Sequence, residues 1–191
     1  MNRALIILII VSVFVFTSCN KRESEVKEIY ASSIEMDSVL RTNPVLAVEH
    51  RIMAEDLIED YMEFADKYPE DSLSAQFIFK SAMLFHMLPF YDKEVEALEM
   101  LAERYPESEY APQALATAAR VSEENLNDLE RCTGYLKQIK ERYPESPYAV
   151  NIDMQIEYAG DDEGLLNAIM EKKGVDLDSL LNAADSVDAV K

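Results

Sequence analysis

Residue types that commonly carry chemistry are few in this sequence of 191 residues, which contains two cysteines and two histidines. His50 and His86 stand 36 residues apart, and neither has the His-x-Glu or Glu-x-x-His spacing that places metal ligands on one face of a helix. Cys132 lies in a helical pattern between Leu129 and Leu136, with no histidine or helix start nearby to lower the pKa of its thiol. We therefore expect Cys132 to be a small buried residue, and we expect no metal site.

Carboxylates are abundant, but their spacing is typical of a surface. Glu55, Asp56, Glu59, Asp60 and Glu63 fall at positions that form a solvated helix face, where no apolar surroundings would raise their pKa values. The sequence also lacks a glycine-rich phosphate loop and a Gly-x-Ser-x-Gly elbow. We expect no catalytic residue, no cofactor and no enzymatic activity, and an enzyme is only the third of our hypotheses for function.

The charge of the chain restricts its partners. The sequence has 18 Lys and Arg against 37 Asp and Glu, a net charge of −19 at pH 7. Such a field repels the phosphates of nucleic acids and the headgroups of anionic lipids. We expect no nucleic-acid partner, and a basic or apolar protein surface is the partner that this charge favours.

The first residues have the pattern of an export signal. A basic start at Arg3 is followed by an almost wholly apolar run, Ala4 to Phe16, and by small residues before Cys19. Polar residues follow Cys19 too early for a transmembrane helix, which needs about 20 apolar residues, so a retained span is the less favoured alternative. Removal of residues 1–18 leaves 17 basic against 37 acidic residues, a net charge of −20.

The run Phe16-Thr17-Ser18-Cys19 resembles the lipobox of bacterial lipoproteins. This resemblance implies that residues 1–18 are a lipoprotein signal peptide and that Cys19 is lipidated, with palmitate-like chains anchoring the protein to a membrane. Asn20, rather than Asp, follows the cysteine, which favours the outer membrane. Residues 19–42 carry only a weak apolar stripe, so we interpret them as a lipidated N-terminus and tether.

The helices expected downstream are organised as a repeat. Four glycines and no tryptophan, with many Ala, Leu, Glu and Met, favour an all-α fold. Three segments align around Tyr-Pro pairs that are 37 and 38 residues apart, a period typical of helical solenoids. They are Phe64 to Asp71 (FADKYPED), Leu101 to Ser108 (LAERYPES) and Ile139 to Ser146 (IKERYPES). The pairs Tyr68-Pro69, Tyr105-Pro106 and Tyr143-Pro144 are therefore predicted to be structural turns between two helices.

Each predicted turn has a physical basis in its residue types. Proline disfavours helical geometry in the preceding tyrosine and so ends a helix there. Two residues after each proline stands Asp71, Ser108 or Ser146, which can cap the next helix, and Pro147 suits a first helical position. We place the repeats in residues 43–173 and an acidic capping helix or tail in residues 174–191.

The repeated motif supports a resemblance to a known family. The run Tyr-Pro-Glu-Ser-x-Tyr-Ala, at Tyr105 to Ala111 and again at Tyr143 to Ala149, resembles the tetratricopeptide units of bacterial envelope lipoproteins. BamD-like lipoproteins of the outer-membrane β-barrel assembly machine carry similar units, and so does the periplasmic repeat protein of the Tol-Pal system. The resemblance does not separate these two groups. The units here exceed the usual 34 residues and lack the consensus tryptophan.

The resemblance implies a right-handed superhelical solenoid of antiparallel helix pairs with about three units. It also implies a scaffold at the cell outer membrane, facing the periplasm, that binds other envelope proteins in outer-membrane protein assembly. A ligand- or glycan-binding lipoprotein of nutrient uptake is the alternative, although no tryptophan is present to stack on a sugar ring.

A partner-binding groove follows from the repeat offsets. The inner face of such a solenoid is lined by residues that lie between core positions of the helix after each turn. Amides there can bond a peptide backbone, and methionine and phenylalanine supply apolar contacts. By offset from the prolines, we predict a groove of Gln76, Phe79, Lys80, Met83, Gln113, Thr117, Arg120, Asn151, Met154 and Gln155.

Overall fold

All elements in the described part of the chain are helices, which confirms the all-α class. The computed structural model describes the backbone of residues 3–42 and 48–174 and the side chains of residues 21–42 and 50–174. A 3₁₀ turn at Pro147–Ala149 accompanies the α-helices. These are α1 (Arg3–Thr42), α2 (Val48–Lys67), α3 (Ser72–Met87), α4 (Tyr91–Arg104), α5 (Tyr110–Glu124), α6 (Leu129–Arg142), α7 (Ile152–Glu157) and α8 (Asp162–Lys173).

Helices that are adjacent in sequence pack against each other. In the first part of the chain α1 packs on α2 and α2 packs on α3. In the second part α4 packs on α5, α5 on α6, α6 on α7 and α7 on α8. The chain divides into two compact units, Met1–Phe90 and Tyr91–Lys191, hereafter unit 1 and unit 2. This order of packing is compatible with a helical repeat.

The three Tyr-Pro turns share one hydrogen-bonding pattern. The amides of Tyr68, Tyr105 and Tyr143 each donate to the carbonyl four residues earlier, over 2.9 Å in all three turns. The carbonyls of the same tyrosines accept from the residue two positions after the proline, over 2.9, 3.0 and 3.0 Å. Each helix therefore ends in the same way at the predicted position, because proline cannot continue it.

Each predicted capping residue accepts a backbone amide at its turn, but the helix starts differ. Asp71 caps α3 and Ser146 caps the 3₁₀ turn, whereas the N-cap of α5 is Glu109 rather than the predicted Ser108. Asp71 is the N-cap of α3, and its Oδ1 accepts from the Leu73 amide over 2.9 Å. Ser108 Oγ accepts from the Tyr110 amide over 3.3 Å, and Ser146 Oγ accepts from the Tyr148 amide over 3.2 Å. These bonds satisfy backbone donors that have no partner within their own helix.

The core of unit 1 is built on aromatic rings from α2 and α3. The ring of Phe77, which is fully buried, lies 5.0 Å from the centroids of both Tyr61 and Phe64. Helix α1 covers this cluster, and it contributes Ile29 and Met36 at 5% and 1% exposure. Rings at these distances attract each other beyond the simple burial of their area.

Helix α1 departs from the tether expected over residues 19–42. From Lys21 onward its described side chains belong to a helix that packs on α2 within unit 1, not to an extended chain. The apolar stripe is hard to recognise because Ile34 is 69% exposed while the polar Ser33 is buried. The boundary between the lipidated segment and the repeats, at residues 42 and 43, stays a prediction.

The third turn is followed by a broken helix, which the sequence did not predict. Tyr148, Ile152 and Ile156 have the spacing of one apolar face of a continuous helix, but the 3₁₀ turn ends at Ala149 and α7 starts only at Ile152. Between them Asn151 adopts a left-handed conformation with φ of 57°. Asparagine tolerates this conformation better than most residues, so it permits the break without glycine.

The remaining boundaries agree with the sequence where the structure describes them. Helix α8 lies between Gly160 and Gly174, and Gly174 caps its end at φ of 67°, a conformation that glycine adopts readily. Residues 43–47, where the repeats are predicted to begin, and the acidic segment after Gly174 lie outside the described residues. Within the described part of the chain, no helix has the length and apolar character that crossing a membrane requires.

Candidate functional site

The residues predicted to form the groove lie on α3, on α5 and around α7. All of them are half-buried except Arg120, which is exposed. Half-buried side chains at these offsets are neither core nor fully solvated. Cavities in unit 1 and unit 2 show which of them the fold brings together.

In unit 1, Lys80 and Met83 line a shared cavity of about 360 Å³ that opens between α1, α2 and α3. Tyr61, Ser33 and Met36 form part of its wall. The other groove residues predicted on α3, Gln76 and Phe79, are half-buried but do not line this cavity.

The polar end of the unit 1 cavity is organised around one serine. Ser33 Oγ accepts hydrogen bonds from the Tyr61 hydroxyl over 2.8 Å and from Lys80 Nζ over 3.1 Å. Burial raises the pKa of Tyr61, although the hydrogen bond to Ser33 opposes this shift. The phenol therefore stays protonated at neutral pH and acts as a donor.

In unit 2, Arg120 and Gln155 line a smaller cavity of about 210 Å³. Arg120 pairs with Glu124 over 2.9 Å on the exposed side of α5. Gln155 Nε2 donates to the Val150 carbonyl over 2.7 Å. Both side chains thus already have internal partners, which limits what they offer to a ligand.

The other predicted groove residues of unit 2 are not part of this cavity. Gln113, Thr117 and Met154 are half-buried on α5 and α7. Asn151 lies at the backbone break, where its Oδ1 accepts from Lys172 Nζ over 3.0 Å. The break therefore places Asn151 in a contact with α8, a role that its repeat offset did not indicate.

Cys132 is buried at 1% exposure, which confirms its interpretation as a small core residue. Burial raises the pKa of its thiol to about 11, and the nearby Glu123 carboxylate contributes to the shift. The thiolate is the nucleophilic form of cysteine. Cys132 is therefore held in its unreactive form at neutral pH.

The five carboxylates of α2 are all exposed, as expected for a solvated helix face, but the pKa of one of them is shifted. Burial raises the pKa of Asp60, and repulsion from Asp56, Glu63, Glu59 and Glu28 adds to this effect. The expectation of unperturbed carboxylates is wrong here because α1 docks beside this face and brings Glu28 close to it.

A small acidic cavity of about 130 Å³ lies between α1 and α2, and Glu25, Glu28, Asp60, Glu63 and Lys67 contribute to its lining. The Lys67 ammonium pairs with Glu25 across the two helices. No group of three or more His, Cys, Asp or Glu side chains among the described residues is arranged to hold a metal ion.

Sequence reasoning missed the contribution of α1 to the site. Ser33, Met36 and Asp37 all line the unit 1 cavity, and all fall in the segment interpreted as a tether. The only signal for their role was the weak apolar stripe, which by itself did not show that this helix docks.

Comparison with known proteins adds no family assignment. No protein-family model matches the sequence, and no curated protein matches it at a significant level.

Proposed function

We propose that this protein is a membrane-anchored protein-protein interaction scaffold of the bacterial cell envelope. In this proposal Cys19 carries the lipid anchor, the outer membrane is its location and outer-membrane protein assembly is its process. The helix pairs form a right-handed, tetratricopeptide-like solenoid of about three units. Other envelope proteins bind on the faces of α3, α5 and α7.

The observation that carries this proposal is the equivalence of the three Tyr-Pro turns. The same two backbone hydrogen bonds recur at each turn with lengths that differ by 0.1 Å at most. A recurring helix–turn–helix unit whose neighbours pack in sequence order supports a repeat architecture, and repeat proteins commonly use their inner faces to bind other proteins.

Contacts beside the second and third turns strengthen the case. The Tyr143 hydroxyl donates to the Pro106 carbonyl over 2.9 Å, so the third turn is attached to the second. Arg142 Nη2 donates to the Ala102 carbonyl over 2.7 Å, and its guanidinium lies 5.3 Å from the ring centroid of Tyr143. Within unit 2, the motif residues thus join successive units.

Photocrosslinking in the native cell envelope tests the proposed partner face. A photoreactive residue is placed in turn at Phe79, Met83 and Met154, and adducts are identified by mass spectrometry. We expect adducts to envelope proteins, with barrel-assembly proteins among them. The matched control is Lys137, an exposed residue of α6 outside the predicted groove. An absence of adducts at all three positions, or the same adducts from Lys137, would contradict the proposed face.

The proposed anchor has a separate test. Cells that express the full chain are fed an alkyne analogue of palmitate, and the protein is recovered and examined for label. We expect label on the native chain and none after Cys19→Ser, with the variant shifting from the membrane fraction. Equal labelling of the native chain and the Cys19→Ser variant would show that another residue is acylated and would contradict the proposed anchor at Cys19.

A further inference from the structure

The unit 1 cavity has the dimensions of a small-molecule site. Its volume of about 360 Å³ falls within the range of roughly 300 to 1,000 Å³ that is usual for ligand pockets. The cavity is mostly apolar, and its polar lining comprises Asp37, His86 and a hydrogen-bonded cluster of Ser33, Tyr61 and Lys80. This combination is typical of sites that hold an apolar body and orient it through a polar end.

The polar end offers a cation with spare hydrogen-bonding capacity. The Lys80 ammonium has three donors, and one of them is directed at Ser33 Oγ over 3.1 Å. Among the described residues, no carboxylate forms an ion pair with Lys80, whereas Lys67 and Arg22 are paired with Glu25 and Asp71. A half-buried cation such as Lys80, with no paired carboxylate in the part of the chain that the structure describes, attracts an anion more strongly than a solvated cation does.

The apolar wall can adapt to a flexible chain. Met36 and Leu57 are buried at 1% and 2% exposure, while Met83 is half-buried and Met87 is 37% exposed. Methionine is unbranched and polarisable, so it packs against ligands of irregular shape. The wall therefore fits an alkyl chain better than a rigid or highly polar ring.

Charge at the cavity limits the ligand to one negative charge. Asp37 belongs to the same lining as Lys80, and the whole chain carries a net charge of −19. One positive charge, that of Lys80, balances a monoanion. A dianion such as a phosphate monoester keeps a second negative charge, which Asp37 and the net negative charge of the chain repel.

We propose that the unit 1 cavity binds an apolar monocarboxylate of the fatty-acid class. The carboxylate pairs with the Lys80 ammonium and accepts a hydrogen bond from it, and the alkyl chain lies against Met36, Met83 and Met87. This site goes beyond the proposed scaffold function and does not rest on it.

Photolabelling of the full chain in lipid bicelles tests the site. The probe is dodecanoate carrying a diazirine on its alkyl chain, and labelled peptides are identified by mass spectrometry. We expect adducts on peptides that contain Met36, Met83 or Met87, and we expect excess dodecanoate to compete for them. Excess dodecanol should not compete, because it lacks the carboxylate while partitioning into the same bicelles.

The variants isolate the charge of Lys80. Lys80→Met should lower labelling at these peptides at least about tenfold, because a partly buried charge-assisted hydrogen bond is lost. Lys80→Arg retains the charge and should retain labelling, which separates loss of charge from loss of fold. Lys137→Met is the matched control and should label as the native chain does. Labelling that is unchanged in Lys80→Met, equal competition by dodecanol, or an absence of adducts on α1 and α3 would each overturn the proposal.

A failure of the fatty-acid proposal and a failure of the proposed scaffold function give different experimental results. Phe79 and Met154 lie outside this cavity, so protein crosslinks from those positions report on partner binding independently of the fatty-acid probe.

Discussion

Replacement of Asp71 by alanine is expected to destabilise unit 1 at two places. Asp71 caps α3 by accepting the Leu73 amide over 2.9 Å. The same carboxylate accepts two hydrogen bonds from Arg22 of α1, over 2.6 Å from Nε and 3.0 Å from Nη2. One side chain therefore joins the start of α3 to the helix that covers the core.

The expected magnitude is about 2 kcal/mol. Loss of an N-cap costs about 1 kcal/mol. A bidentate, charge-assisted pair contributes more when buried, but the Arg22 side chain is 35% exposed and Asp71 is 14% exposed, so solvent screening reduces the pair to about 1 kcal/mol. Asp71→Asn keeps an oxygen that can cap α3, and we therefore expect it to lose only the second contribution.

A double-mutant cycle measures the pair directly. Urea unfolding of residues 19–191, followed by circular dichroism, is compared for Arg22→Met, Asp71→Asn and the double variant, with an expected coupling of about 1 kcal/mol. Hydrogen exchange should accelerate in α1 of each variant, because the pair holds that helix on unit 1. The neighbouring Glu70→Ala, at an exposed position, serves as control and should change neither measurement.

The pair also predicts a pH dependence. The hydrogen bonds from Arg22, and secondarily the Leu73 amide, lower the pKa of Asp71 below its ordinary value of 3.8. The stabilisation is therefore fully present above pH 3.8 and is lost as the pH falls through the lower folded-state pKa. The difference between the native chain and Asp71→Asn should shrink over that acidic range. Coupling below about 0.3 kcal/mol, the limit of ordinary additivity, would refute the idea that this pair holds α1 in place.

Three further predictions concern other parts of the chain. Asp60→Asn should raise the urea midpoint at pH 7 and lose this effect as the pH falls towards 3.8, because the raised pKa of Asp60 makes its ionised form unfavourable in the folded state. Cys132, with a thiol pKa of about 11, should resist alkylation in the native Cys19→Ser chain and react only on unfolding, so rapid native alkylation would contradict its burial. Tyr143→Phe removes the hydrogen bond to the Pro106 carbonyl and should cost about 0.5 to 1 kcal/mol, whereas Tyr148→Phe is the matched control, and equal losses in urea unfolding would argue against that hydrogen bond.

The parts of the fold that the sequence predicted are those set by local chemistry. Tyr68, Tyr105 and Tyr143 end their helices because a proline follows each of them, and this effect needs no tertiary contact. The caps at Asp71 and Ser146 are equally local, since each side chain bonds an amide two residues away. Periodicity around these fixed points was then sufficient to indicate the helices between them.

The parts that the sequence missed depend on which elements meet. Ser33 is buried, and its hydroxyl is satisfied by donors from Tyr61 and Lys80, which lie on two other helices. A polar residue in that position weakens the apolar stripe of α1, so periodicity alone did not predict that this helix packs on the others. The break at Asn151 was missed for a related reason, because asparagine permits a left-handed backbone without requiring it.

Packing of α1 on α2 determines how far the proposed lipid anchor would lie from the folded body. Arg22 is three residues after Cys19, and its ion pair with Asp71 attaches the helix to unit 1 from that point onward. At about 1.5 Å per helical residue, the anchor would lie close to the folded body, whereas an extended tether of the same segment would reach tens of ångströms. Lys21 places a positive charge beside the anchor, whereas the charge of Arg22 is already paired with Asp71 and the chain as a whole is strongly acidic. Under the proposed lipidation, therefore, Lys21 attracts anionic headgroups next to the anchor, while the net negative charge of the rest of the chain opposes its closer approach to them.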